Sequence, residues 1–145
     1  MNALGTDVLS QINIEEVLAP VAITTESTKT SEVFATDKYR SGAVAIIGAE
    51  AVGDGETFSL EDIIVETSDT EAGTNGWTTY NRTRNAADVV FDGVEDGSTI
   101  TKLFGINFDG SEGFMRIKLT GTSSDGTTTV YAVLVKGGAD VLPQN

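Results

Sequence analysis

Three groups of residues are of the right types to do chemistry. The first is a set of adjacent acids, Glu61-Asp62 and Glu95-Asp96, in or beside β-prone segments. Two carboxylates held on either side of a sugar bond can hydrolyse it, one as acid and the other as base or nucleophile. Neighbours along a strand point to opposite faces, so neither pair is set to close on one bond, and solvated surface is the expectation. The second is Asp92-Gly93-Val94-Glu95-Asp96-Gly97, which opens like a calcium loop. An EF-hand needs an oxygen side chain at its third position and Glu at its twelfth, where this chain has Val94 and Leu103. Asp69, Glu71 and Asn75 are a looser oxygen set, and turn chemistry accounts for both stretches without a metal. The third is Trp77 with Tyr80, beside the polar loop Ser68–Gly76. Exposed together they would stack on a sugar ring, as in a carbohydrate-binding module. A sandwich more often buries such a Trp as a core anchor, which is the reading preferred here.

Absences narrow the chemistry further. The chain has no His and no Cys, so Ser–His and Cys–His nucleophile pairs, thiolate chemistry and Cys-based metal centres are excluded. Gly53-Asp54-Gly55 lacks the Gly, Lys and Ser/Thr of a phosphate loop, and its Asp would repel phosphate. Catalysis is not expected, nor is any cofactor. Nine basic residues against 22 acidic give a formal charge of −13, a surface that repels nucleic acid and anionic membranes. The scarce cations Lys38, Arg40, Arg82 and Arg84 are placed to pair with local acids or with acidic patches of another subunit. Asn81-Arg82-Thr83 matches a glycosylation acceptor. The first residues lack a secretion leader, so the match is read as accidental and synthesis in a host cytoplasm is expected.

The elements that would carry these residues are strands. From residue 21 onward short apolar runs rich in Thr and Val alternate with Gly, Asp, Asn and Ser. Strands are expected at 21–25, 31–35, 43–47, 57–66, 77–81, 88–91, 98–104, 114–120 and 129–136, as in an antiparallel β-sandwich or jelly-roll-like domain. Met115, Ile117 and Leu119 share one face of their strand, with Arg116, Lys118 and Thr120 on the other. Val130–Val135 is apolar on both faces and should be central, covered by the second sheet or by a neighbouring subunit. Asp125-Gly126, between these two strands, reads as a hairpin turn. Pro20 and Pro143 are the two prolines and should lie outside the β body.

Residues 1–20 differ from the domain at 21–145. Leu4, Val8 and Ile12 recur every fourth residue with Leu9 beside them, but Ile12 and Ile14 alternate as in a strand. The stretch reads as an N-terminal arm, ended by Pro20, whose Leu4, Val8, Leu9, Ile12, Ile14, Val17 and Leu18 dock on a partner or pack on their own domain. Removing residues 1–19 is expected to leave a folded domain.

The arrangement as a whole resembles small virion structural proteins of tailed bacteriophages. The arm ends near a proline, and Ser41-Gly42-Ala43-Val44-Ala45-Ile46-Ile47 follows. Next come Gly53-Asp54-Gly55-Glu56-Thr57-Phe58 and a long strand running into an acidic loop before Trp77. Phe114–Gly121 and Val130–Gly137 close the chain. The resemblance implies a capsid decoration (cement) protein on a phage head, with another virion structural protein of the tail, neck or head fibre as the alternative. It would act as a homotrimer with the major capsid protein as partner, and be located on the virion surface.

Overall fold

The computed structural model describes residues 12–23, 27–49, 57–87, 91–95, 99–123 and 128–137. They form eleven strands: β1 (Asn13–Ile23), β2 (Ser27–Thr30), β3 (Phe34–Ala35), β4 (Ser41–Ala49), β5 (Thr57–Ser68), β6 (Thr78–Thr79), β7 (Thr83–Arg84), β8 (Phe91–Glu95), β9 (Thr99–Asn107), β10 (Phe114–Ser123) and β11 (Thr128–Gly137). All pairings are antiparallel. One sheet has the order β1-β11-β4-β9-β7, and the other β2-β10-β5-β6, with β3 also on β10 and β8 also on β5. Among the described residues no helix is long and apolar enough to cross a membrane.

Period-two patterning builds both walls of the core. β10 alternates half-buried and buried along its whole length, with Met115, Ile117 and Leu119 inward. Opposite them, Val44 and Ile46 of β4, Phe104 and Ile106 of β9, and Val130, Ala132 and Leu134 of β11 fill the space from the other sheet. Side chains on facing pleats interdigitate this way across about 10 Å. Ser31 bridges the break between β2 and β3. Its hydroxyl accepts from the Ile117 amide at 2.8 Å and donates to the Glu32 carbonyl at 2.9 Å, which keeps the β10 ladder satisfied where no strand residue faces it.

Three expectations are corrected. β1 runs through Pro20, which therefore ends nothing. β1 is an edge strand with register breaks between Glu16 and Val21, and an edge bulge is where a residue without an amide donor fits. Secondly, β10 and β11 lie in different sheets, so Asp125-Gly126, itself outside the described residues, does not join a hairpin. An Asp-Gly pair favours reversal of direction, and reversal serves a crossing between sheets as well as a turn within one. Thirdly, Val17 is buried in the core and its carbonyl accepts from the Glu32 amide at 2.7 Å. Removing residues 1–19 would therefore strip an edge strand from β11, and a truncation that spares the sandwich must stop before Ile12.

Candidate interaction surface

The two outer faces of the sandwich differ in chemistry. On the six-stranded sheet, β10 and β5 place Arg116 beside Glu66, with Nε 2.8 Å from Oε1. The guanidinium also lies 4.3 Å from the centre of the Trp77 ring, a cation–π distance. Thr28 and Thr120 share a hydroxyl contact at 2.8 Å, and Thr122 Oγ1 donates to Glu61 at 3.0 Å. This face is wet and internally paired.

Trp77 is therefore not the core anchor expected of it. It is half-buried on the outer face, held between Arg116 and Gly73. Gly73 has φ +67°, and a Cβ there would lie 2.0 Å from Trp77 Nε1. Both features demand glycine. Gly73→Ala is expected to cost about 1–3 kcal/mol and to displace the indole, read as a lower melting temperature with a changed tryptophan emission. Tyr80, by contrast, points inward. Its ring is buried, and its hydroxyl donates to the carbonyls of Asn107 and Asp109. Burial pushes the phenol above its ordinary pKa, Arg82 pulls it back and Asp109 adds to the rise. The two rings thus share no platform on which a sugar could stack.

Glu61, Asp62 and Asp69 are surface groups. Glu61 and Asp62 are both exposed because the register shifts between them and β10. The bulge defeats the strict alternation expected of neighbours. Glu95 pairs through its backbone with Thr57, and Asp96 lies outside the described residues. Asp69 accepts from Asn75 Nδ2 at 2.9 Å, a loop contact. Among the described residues no three His, Cys, Asp or Glu side chains gather where they could hold a metal ion.

The outer face of the five-stranded sheet is apolar. Register sets its side chains in rows: Ile14, Val135, Ala43 and Gly105; then Glu16, Val133, Ala45 and Leu103; then Tyr131, Ile47 and Thr101. Ile14 is 64% exposed and Leu103 63%. At one margin Arg84 stands beside Gly105, across β7 and β9. There a hollow of about 630 Å³ is lined by Ser41, Gly42, Arg82, Arg84, Gly105 and Asn107 among others. Arg82 Nη1 is held by the Asp109 carbonyl at 2.7 Å.

Of the arm residues, Val17 and Leu18 pack on the core, Ile14 lies on this outer face, and Ile12 is half-buried at its margin. Leu4, Val8 and Leu9 lie outside the described residues. Sequence reasoning did not single out Leu103, Val133 or Ala45 as one surface, because that depends on which strands are neighbours. The doubly apolar β11 was the signal that could have found it.

No protein-family model matches the chain, and no curated protein matches it in sequence. Solved structures do. A mutant VP2 protein of infectious bursal disease virus, in T=1 particles, superposes with a TM-score of 0.51 at 10% identity, over 91% of this chain and 33% of that one. The VP2 subviral particle of the same virus gives 0.49 at 11% identity, over 88% and 33%. The chain thus spans about a third of the length of these proteins. Its fold is an antiparallel β-sandwich, similar to the matched third of the mutant VP2 protein.

Proposed function

We propose that the chain is a structural protein of a virion, and that it acts by binding. The finer reading is a decoration protein that sits outside a tailed-phage head as a homotrimer, bridges major capsid proteins and stabilises the shell. The observation that carries the proposal is the sandwich shared with a viral capsid domain over 91% of the chain. The phage resemblance of the sequence supports the finer part.

The mechanism is mechanical. A shell offers many equivalent sites, and a small domain gains hold by burying apolar surface at each. The segment before Ile12 carries Leu4, Val8 and Leu9 ahead of an edge strand. In this reading it docks on the capsid or on a neighbouring subunit, and several arms engaged at once multiply the affinity. The sugar-binding alternative lacks support, since Tyr80 is buried.

The test is removal of residues 1–11, which leaves β1 whole. The truncated protein is expected to keep its circular-dichroism spectrum and to bind purified shells at least about tenfold more weakly, a loss of about 1.4 kcal/mol. Equal binding by both forms would refute the arm. Absence of the intact chain from purified particles would refute the virion reading itself.

A further inference from the structure

We propose that the outer face of the five-stranded sheet is a contact between two copies of this chain, related by a two-fold axis parallel to the strands. This goes beyond the shell reading and does not depend on it.

Two observations select this face and this occupant. The first is where the charge is missing. A chain of formal charge −13 repels its own copies, yet the described residues of this face carry three charges, Glu16 at one margin and Arg82 and Arg84 at the other. Between them lie Ile14, Val135, Val133, Ala45, Leu103 and Ile47. Depletion of charge at the centre, with polar groups at the rim, is how interfaces are built. The other outer face has the opposite character, with Arg116, Glu66, Thr28 and Thr120 already satisfying one another.

The second observation is the arrangement of Glu16 and Arg84. Glu16 stands on edge strand β1 and Arg84 on the opposite edge, β7. Both are exposed, and neither side chain forms a hydrogen bond or ion pair with another described residue. Stack two such faces about an axis parallel to the strands, and each β1 edge meets the other copy's β7 edge. Glu16 then faces Arg84 twice, once at each margin. An axis across the strands would instead set Glu16 against Glu16 and Arg84 against Arg84, which is repulsive. The face is thus self-complementary under one of the two choices, as an isologous contact requires. Glu16 and Arg84 stand in neighbouring rows, two residues or about 7 Å apart along the strands. Two long side chains span that offset, and the hollow beside Arg84 leaves room for the incoming carboxylate. Arg82 is engaged with the Asp109 carbonyl, so Arg84 is the cation that receives Glu16.

Sedimentation velocity of the full chain over about 1–500 µM tests this. Wild type is expected to gain mass with concentration and to reach at least twice the mass of Leu103→Asp. The latter should stay folded by circular dichroism, because Leu103 is exposed. Glu16→Arg and Arg84→Glu should each weaken association about tenfold or more, and the double variant should recover most of it. Equal masses for wild type and Leu103→Asp at every concentration would overturn the contact, including the case in which the face serves a different protein. Failure of the double variant to recover would overturn the two-fold geometry. A trimer made through other surfaces would survive Leu103→Asp, so the trimer reading and this contact fail separately.

Discussion

Leu134→Ala will cost about 3–4 kcal/mol of unfolding free energy, the largest loss expected from any single truncation described here. Leu134 is fully buried in β11, opposite Val44 in the ladder. A Cβ on Gly42 would come within 2.9 Å of Leu134 Cδ1 and 2.7 Å of Phe108 Cζ. The leucine and the phenyl ring have thus taken the space that Gly42 leaves. A void at Leu134 would be walled by backbone on one side and a ring on the other, and neither can collapse far into it. At this chain length the loss corresponds to a fall in melting temperature of about 10 °C. The control lies on the other face of the same sheet. Leu103→Ala removes the same side chain from an exposed site and should stay within about 0.5 kcal/mol. Urea titration followed by Trp77 emission reads both. A Leu134→Ala midpoint within about 1 kcal/mol of wild type would mean that the sandwich is not packed as described.

Lys136→Glu will be of similar size, about 3–5 kcal/mol, by a different mechanism. Lys136 is buried at the end of β11. Its Nζ donates to the Ala35 carbonyl at 3.1 Å and lies 2.6 Å from Glu15 Oε2 and 5.1 Å from the centre of the Tyr39 ring. The carboxylate contact is that of an ion pair and not of an aligned hydrogen bond. One ammonium thus ties β11 to β1 in its own sheet and to β3 in the other. Reversal sets two carboxylates against each other and points an anion at a carbonyl and at the negative face of a ring. Lys136→Met keeps the aliphatic stem, and the Glu15 side chain, 37% exposed overall, can turn its buried Oε2 out to water. It should lose only about 1–2 kcal/mol. Thermal unfolding of the two variants side by side checks the ordering. If Glu is tolerated as well as Met, the cation is not structural.

Alternation at residues 114–120, and an unbroken apolar run rich in Val at 130–135, made both strands legible, because residue type and two-residue period are carried by one chain segment. The same local signals misled where the outcome was set across the sheet. Asp125-Gly126 looked like a hairpin, but which sheet receives the returning strand is decided by what else that strand can cover. Trp77 looked like a core anchor, but Gly73 and Arg116 hold it outside. Glu61 and Asp62 looked opposed, until a bulge against β10 exposed both.

The sequence by itself determined that the chain is all-β, that it lacks the His and Cys side chains most enzymes use, and that its surface is strongly acidic. Those follow from residue type and short-range period, which need no partner to be read. Tertiary structure decided which strands are neighbours, and so assembled Ile14, Val133 and Leu103, residues up to 119 positions apart in the chain, into one uncharged face with Glu16 and Arg84 at its margins. Strand pairing is a long-range choice, settled by the burial it makes possible, and no single segment carries that information.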